Sequence, residues 1–277
     1  MSHEPPRIGF FDSGLGGLTV WRAVVGLMPE VPTVYYGDTL HLPYGDKSDA
    51  AIQEYSQSIV EFLVSKDCSI VVIACNSASA VAGAYLEEHF PEVRFINVID
   101  PVVAYLAQGS WNRVGLLGTR ATVRSNAYGA RLAHSNPEIG LQSLATPLLV
   151  PLIEDGFLGT GIERDVLKHY LTDPALEGVE ALVPGCTHYP LLQHSAESVL
   201  GEVHWVDAPN IVAREVARAY EEVNETARNK KGIESPSAVA HRPGQLWYLS
   251  DRTPSFERLS KEVFQLQAGW EELRLGR

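Results

Sequence analysis

The chain has 277 residues, 45% of them apolar and 20% charged, with a formal net charge of −12 at neutral pH. That length allows two lobes with a core each, the composition is unlike that of a disordered chain, and the negative charge argues against nucleic acid or an anionic membrane as partner. Three cysteines are too few for a disulfide framework, and without a long apolar run or a signal-peptide core the expected location is the cytoplasm.

Residues 7–12 read as a short apolar strand, and Asp12-Ser13-Gly14-Leu15-Gly16-Gly17 as a turn into a helix over 18–28. Glycines after a strand permit a tight turn and close approach of backbone to ligand. The spacing is Gly-x-Gly-Gly, not the dinucleotide pattern Gly-x-Gly-x-x-Gly, and Asp12 would repel phosphate. Asp12 and Ser13 suit a positive amino group better. Residues 33–38 form the second strand, followed by a loop over 39–45 that Pro43 and Gly45 turn toward the ligand edge. Ser48 caps a helix reaching Lys66.

Ile70-Val71-Val72-Ile73 has the character of a strand buried on both faces. It places Cys75 at a carboxyl end, followed by Asn76, Ser77 and a small-residue helix to His89. In open α/β sheets ligands bind at that edge. Cys68, ahead of this strand and without polar company, reads as a small buried hydrophobe.

The pattern restarts at Arg94 with a strand to Val98, a helix after Pro101 and a strand over 113–118 that opens into Gly118-Thr119-Arg120-Ala121-Thr122. Residues 146–156 are expected to run extended between prolines and to end in Glu154 and Asp155, ahead of a helix over 162–172. Ala181-Leu182-Val183-Pro184-Gly185-Cys186-Thr187-His188 repeats the design of the Cys75 strand. A helix over 190–200, a strand over 204–207, a helix capped by Asn210 and reaching Asn224, an exposed loop over 229–237, a strand over 245–249 and a helix over 255–265 complete the chain. Gly118 follows Asp12 by 106 positions and Cys186 follows Cys75 by 111. Landmarks at such similar offsets predict an α/β fold of two similar lobes, each a mostly parallel sheet flanked by helices, each supplying one cysteine to a cleft between them.

Two thiols facing one substrate suit the inversion of an amino acid at Cα. One sulfur removes the α-hydrogen to leave a nearly planar carbanion, and the other returns a proton to the opposite face. Cysteine serves both roles because its ordinary pKa, about 8.5, responds to nearby charge. His188 is placed to share a proton with Cys186, while Asp12 near Cys75 and Glu154 near Cys186 assist deprotonation or orient the amino group. Thr119, Thr122, Thr187, Asn76 and Ser77 supply the neutral donors an acidic protein needs to hold carboxylates. Zinc lacks the usual Cys-x-x-Cys or His-x-x-x-His pairing, and pyridoxal phosphate would need a buried lysine where the lysines here fall on polar faces.

The motifs that carry this chemistry resemble those of the glutamate racemase family. They are Phe11-Asp12-Ser13-Gly14-Leu15-Gly16-Gly17-Leu18-Thr19-Val20, Pro43-Tyr44-Gly45, Ala74-Cys75-Asn76-Ser77-Ala78-Ser79-Ala80, Gly118-Thr119 with Thr122 and Ser125, Val150-Pro151-Leu152-Ile153-Glu154, and Gly185-Cys186-Thr187-His188-Tyr189-Pro190-Leu191. The resemblance implies a cofactor-independent interconversion of L- and D-glutamate for peptidoglycan. It implies Cys75 and Cys186 as the acid/base pair, supported by Asp12, Glu154 and His188, and a substrate site of Asp12, Ser13, Tyr44, Gly45, Asn76, Ser77, Thr187 and His188. It also implies a homodimer, and a C-terminal part that returns to the first lobe, so that residues 1–98 with 206–277 carry Cys75 and 99–205 carry Cys186. Ser77 stands where Thr is common, Pro184 where Leu is usual, and Ala208-Pro209 follows Asp207 where the family often has Ser. An aspartate racemase of the same superfamily, a cysteine hydrolase built on Cys186 and His188, and a noncatalytic glutamate-binding protein are the alternatives.

Overall fold

A computed structural model describes residues 6–231, 244–266 and 269–276. The chain opens with β1 (Arg7–Asp12), α1 (Leu18–Leu27), β2 (Thr33–Gly37), α2 (Asp49–Ser65), β3 (Cys68–Ile73), α3 (Asn76–Val81), α4 (Gly83–His89) and β4 (Arg94–Asn97). Helix α5 (Ile99–Gln108) leads into a second run of the same kind: β5 (Arg113–Gly118), α6 (Arg120–Ser125), α7 (Ala127–Ser135), β6 (Gly140–Ala145), α8 (Leu149–Glu154), α9 (Gly161–Leu171), β7 (Ala181–Gly185), α10 (Gln193–Leu200) and β8 (His204–Trp205). The long α11 (Ala208–Lys231) then packs along α1, and β9 (Leu246–Leu249), α12 (Pro254–Arg258) and β10 (Trp270–Glu272) follow. No helix among the described residues is long and apolar enough to cross a membrane.

The strands form two sheets, ordered β10-β9-β2-β1-β3-β4 and β6-β5-β7-β8, and the pairings within both are parallel. The order β2-β1-β3-β4 recurs as β6-β5-β7-β8, so the two similar lobes expected from the landmark offsets are present in the topology. In such a sheet the strand order reverses between the first and third strands, which leaves a crevice at their carboxyl ends. Phe11 pairs with Ile73, which puts Cys75 just beyond that crevice in the first lobe. Gly118 pairs with Gly185, which puts Cys186 at the same place in the second.

Burial accounts for this arrangement. Ile70, Val71, Val72 and Ile73 are all fully buried, as a central parallel strand covered on both faces requires. Helix α11 turns Val212, Ala213, Val216 and Ala219 inward, one stripe at helical spacing, toward the Leu18, Trp21 and Val24 stripe of α1. Alanines on that stripe let the two helices approach closely. Ser48 caps α2 as expected, its Oγ accepting from the Ala51 amide at 3.3 Å.

Several expectations need correction. Residues 146–156 are not extended throughout, because α8 spans Leu149–Glu154. Pro151 is third in that helix, within the first turn, where an amide hydrogen has no intrahelical partner and proline costs little. Asn210 is not the cap of α11. The helix begins at Ala208, and Asp207 Oδ1 accepts from the Asn210 amide at 3.3 Å. The loop expected over 229–237 is helical as far as Lys231, and its remainder lies outside the described residues. The helix expected over 255–265 is the short α12 followed by a π-helical turn, Leu259–Val263. Cys68 is the first residue of β3, not ahead of it, and is buried as expected.

Candidate active site

The two crevices open into one cleft between the lobes. The first lobe lines it with Ser13, Pro43, Tyr44, Gly45, Cys75, Asn76 and Ser77, and the second with Thr119, Val150, Cys186, Thr187 and His188. Both sulfurs therefore border the same space, and each residue is nearly buried, Cys75 at 5% and Cys186 at 7% exposure.

The local sequence explains how each wall is built. Thr119 caps α6 by accepting from the Thr122 amide at 3.2 Å, which fixes its hydroxyl at the cleft edge. That hydroxyl meets Ser77 Oγ across the cleft at 2.9 Å and Thr122 Oγ1 at 3.1 Å. Beneath the floor, Thr187 Oγ1 donates to Asp12 Oδ1 at 3.1 Å and Thr19 Oγ1 donates to the Thr187 carbonyl at 3.1 Å. These contacts, the first buried and the second half-buried, join the lobes directly. The exposed pairs Arg120–Asp46 and Arg124–Asp49, both 2.8 Å, also cross between the lobes, but pairs so open to water contribute only about 0–1 kcal/mol each.

Gly45 shows how closely the walls meet. A Cβ there would lie 2.7 Å from Thr119 Cβ in the opposite lobe. Gly45→Ala is expected to wedge the cleft open, costing about 1–3 kcal/mol of stability and raising KM for the substrate. Thermal melts and steady-state kinetics check this, and an unchanged KM would count against a closed cleft as the working form.

The two sulfurs have different neighbours. Cys75 Sγ donates to Ser13 Oγ at 3.7 Å, and burial together with the Asp12 charge pushes the thiol up to about 12. Burial also pushes the Asp12 carboxyl up, against the opposing charge of His188 and the hydrogen bonds from Gly17, Gly14 and Thr187. Cys186 Sγ lies 3.9 Å from His188 Nδ1, and His188 Nε2 lies 2.6 Å from Glu154 Oε1. Burial disfavours the His188 imidazolium, but the hydrogen bonds and charges of Cys186 and Glu154 outweigh it and raise its pKa well above the usual value. Burial likewise opposes the Glu154 carboxylate, yet His188, with help from Ser255 and Arg258, holds it below the ordinary range. The second sulfur thus faces an imidazole whose protonated form is favoured and which is backed by a carboxylate.

Three residues expected at the site do not line the cleft. Asp12 is fully buried below it, Thr122 stands behind Thr119, and Glu154 stands behind His188. Glu154 reaches Cys186 only through the imidazole. Ser13, Tyr44, Gly45, Cys75, Asn76, Ser77, Thr119, Cys186, Thr187 and His188 are brought together. The sequence placed Val150 in a motif without assigning it to the wall, and offered no sign of Asp38 accepting from Tyr44 OH at 2.6 Å while Ser250 Oγ donates to it at 2.8 Å, or of Tyr128 OH donating to Asn76 Oδ1 at 2.8 Å. Ser250 joins from β9's end, about 200 residues from its partner, a proximity that no local pattern encodes. Among the described residues no group of three His, Cys, Asp or Glu side chains is placed to hold a metal.

Comparison with known proteins agrees with this geometry. Residues 19–216 match the Asp/Glu/Hydantoin racemase family. A glutamate racemase of Aquifex aeolicus is 41% identical over 260 residues, covering 93% of each chain. The crystal structure of glutamate racemase from Francisella tularensis in complex with D-glutamate superposes with a TM-score of 0.86 at 30% identity, over 98% of both chains. That of the Escherichia coli glutamate racemase with L-glutamate and the activator UDP-MurNAc-ala has a TM-score of 0.73 at 31% identity, over 95% of both. The chain therefore belongs to the Asp/Glu/Hydantoin racemase family, and it is an isomerase that racemises an amino acid.

Proposed function

We propose that the protein interconverts L- and D-glutamate by passing the α-hydrogen between Cys75 and Cys186. The observation that carries this reading is the single cleft bordered by both sulfurs, each supplied from the corresponding crevice of a similar lobe. A thiolate on one side takes the α-proton, the electron pair remains on Cα and its carboxylate, and the thiol opposite delivers a proton to the other face. No electron is gained or lost overall, so the step needs no redox partner. Cys75 holds its proton in the free site and enters as the acid. When it serves as base, Asp12, whose carboxyl is itself pushed up by burial, is the neighbour suited to take that proton. The His188 imidazolium, held by Glu154, stabilises the Cys186 thiolate when that sulfur serves as base and hands it a proton when it serves as acid. Ser13, Tyr44, Gly45, Asn76, Ser77, Thr119 and Thr187 hold the substrate, with Thr122 fixing Thr119 from behind.

We further infer that residues 1–98 with 206–277 act as one lobe and 99–205 as the other, and that the enzyme works in the cytoplasm as a homodimer. The muramyl nucleotide named as activator of the Escherichia coli enzyme supports a role in supplying D-glutamate for peptidoglycan. The test of the activity is proton NMR of L-glutamate and, separately, L-aspartate with the protein in D2O. Glutamate is expected to lose its α-proton signal and its optical rotation, and aspartate to keep both. Racemisation of aspartate alone would move the assignment to an aspartate racemase, and binding of glutamate without exchange would remove the catalytic reading.

A further inference from the structure

Asn76 follows Cys75 in the cleft wall, and its carboxamide has two unlike ends, a carbonyl that accepts and an NH2 that donates. The end turned to the substrate decides which substrate group fits there. The carbonyl end is already engaged, because the Tyr128 phenol, from the opposite lobe, donates to Asn76 Oδ1 at 2.8 Å. Tyr128 is 2% exposed, with its ring in the apolar core, and burial pushes its phenol up so that it stays a donor. One turn further along α7, Arg131 Nε meets Asp100 Oδ1 at 3.0 Å, which holds that helix against α5. The phenol is thus fixed by its own surroundings. The Asn76 Nδ2 has no hydrogen-bond partner among the described residues, and Asn76 borders the cleft.

We propose that Tyr128 is a positioning residue that holds the Asn76 carboxamide with its N–H groups toward the substrate, so that this point of the cleft accepts a carboxylate and rejects a carboxamide. The proposal rests on the glutamate racemase reading above and adds a selectivity device to it. If the amide turned over, a carbonyl lone pair would face the substrate carboxylate and repel it. Such a turned amide would instead accept from the NH2 of a substrate amide. Among the described residues Tyr128 hydrogen-bonds to neither sulfur, and although it lies within electrostatic range of Cys186, the contact it makes to the site is the one to Asn76, so its effect is expected on binding first.

Tyr128→Phe keeps the ring and removes only the tether. KM for glutamate is expected to rise about 3- to 10-fold, the range for one lost hydrogen bond, with kcat changed by no more than about twofold. Inhibition by glutamine or isoglutamine, the two monoamides of glutamate, should strengthen relative to glutamate binding for the one whose amide sits at this point. Asn76→Ala should raise KM by itself, and adding Tyr128→Phe to it should raise KM no further, because the tether then has nothing to hold. An unchanged KM in Tyr128→Phe, or an equal rise on the Asn76→Ala background, overturns the proposal, since a packing role would act regardless of Asn76. Should Tyr128→Phe fold poorly, the side-chain NH2 resonance of Asn76 in the unmodified protein supplies an independent reading. It should shift when glutamate is added, and a resonance that does not move also overturns the proposal. Absence of any glutamate racemisation by the unmodified protein would instead strike the function itself, so the two failures are distinct.

Discussion

Cys75→Ala and Cys186→Ala are each expected to lose racemisation of glutamate in both directions, by about 10²- to 10⁴-fold, the usual contribution of a positioned acid or base. The informative part of the result is what each variant keeps. With one sulfur gone, the enantiomer whose α-hydrogen points at the surviving sulfur still meets a base. That sulfur exchanges its proton with solvent and returns deuterium to the same face, which gives exchange without inversion. The other enantiomer faces an alanine and is inert. The two variants should therefore exchange opposite enantiomers in D2O, a mirror relation that a hydrolase centred on Cys186 and His188 has no reason to produce. Both sulfurs border the same cleft from opposite lobes, which is the arrangement this outcome needs. Exchange of the same enantiomer by both variants, or full activity in either, would sink the two-base mechanism.

What was legible in the sequence follows from which interactions are local. The Cys75 strand could be read because four consecutive β-branched residues have few other stable uses, and the structure buries all four completely. Its counterpart before Cys186 could be read from the same abrupt change from apolar to polar. Strand β6 could not, since Gly140-Leu141-Gln142-Ser143-Leu144-Ala145 lies at a sheet edge, mostly half-exposed, and contains no β-branched residue. Strand β10 is three residues long, two of them glutamates, and its pairing with β9 alone makes it a strand. Helix α8 was hidden by Pro151, which breaks helices in their interior but not in their first turn. That turn matters to the chemistry, because it sets Val150 and Glu154 four residues apart on one side, the first at the cleft and the second at His188. Tyr128 and Asp38 could not be read as site residues at all. Tyr128 acts through Asn76 in the opposite lobe, and Asp38, although close in sequence to the Tyr44 it supports, is fixed from its other side by Ser250 at the end of β9, so only the folded chain shows either role.

The His188–Glu154 pair is expected to carry the largest single share of stability at the site, and the two ways of breaking it should differ. His188 and Glu154 side chains are 2% and 10% exposed with nitrogen and oxygen 2.6 Å apart. His188→Ala leaves a nearly buried carboxylate with Ser255 and Arg258 as its remaining support, and the cost should be about 3–5 kcal/mol, as for other buried pairs deprived of one partner. Glu154→Gln leaves an imidazole that can relax by losing its proton, so its cost should be nearer the about 1–3 kcal/mol of a lost buried hydrogen bond. The pH dependence follows from the two shifts. His188 is raised above 6.5 in the folded protein, so its contribution is complete below 6.5 and is lost as pH climbs through the raised value. Glu154 is lowered from 4.5, so its contribution is complete above 4.5 and is lost as pH falls through the lowered value. Both hold in full between 4.5 and 6.5, and the gap in unfolding free energy between the unmodified protein and Glu154→Gln should shrink on the alkaline side of that window. Urea unfolding at a series of pH values measures the gap. A gap that stays constant from about pH 5 to 10 would mean that His188 is neutral throughout, and the imidazolium would then have no part in assisting Cys186.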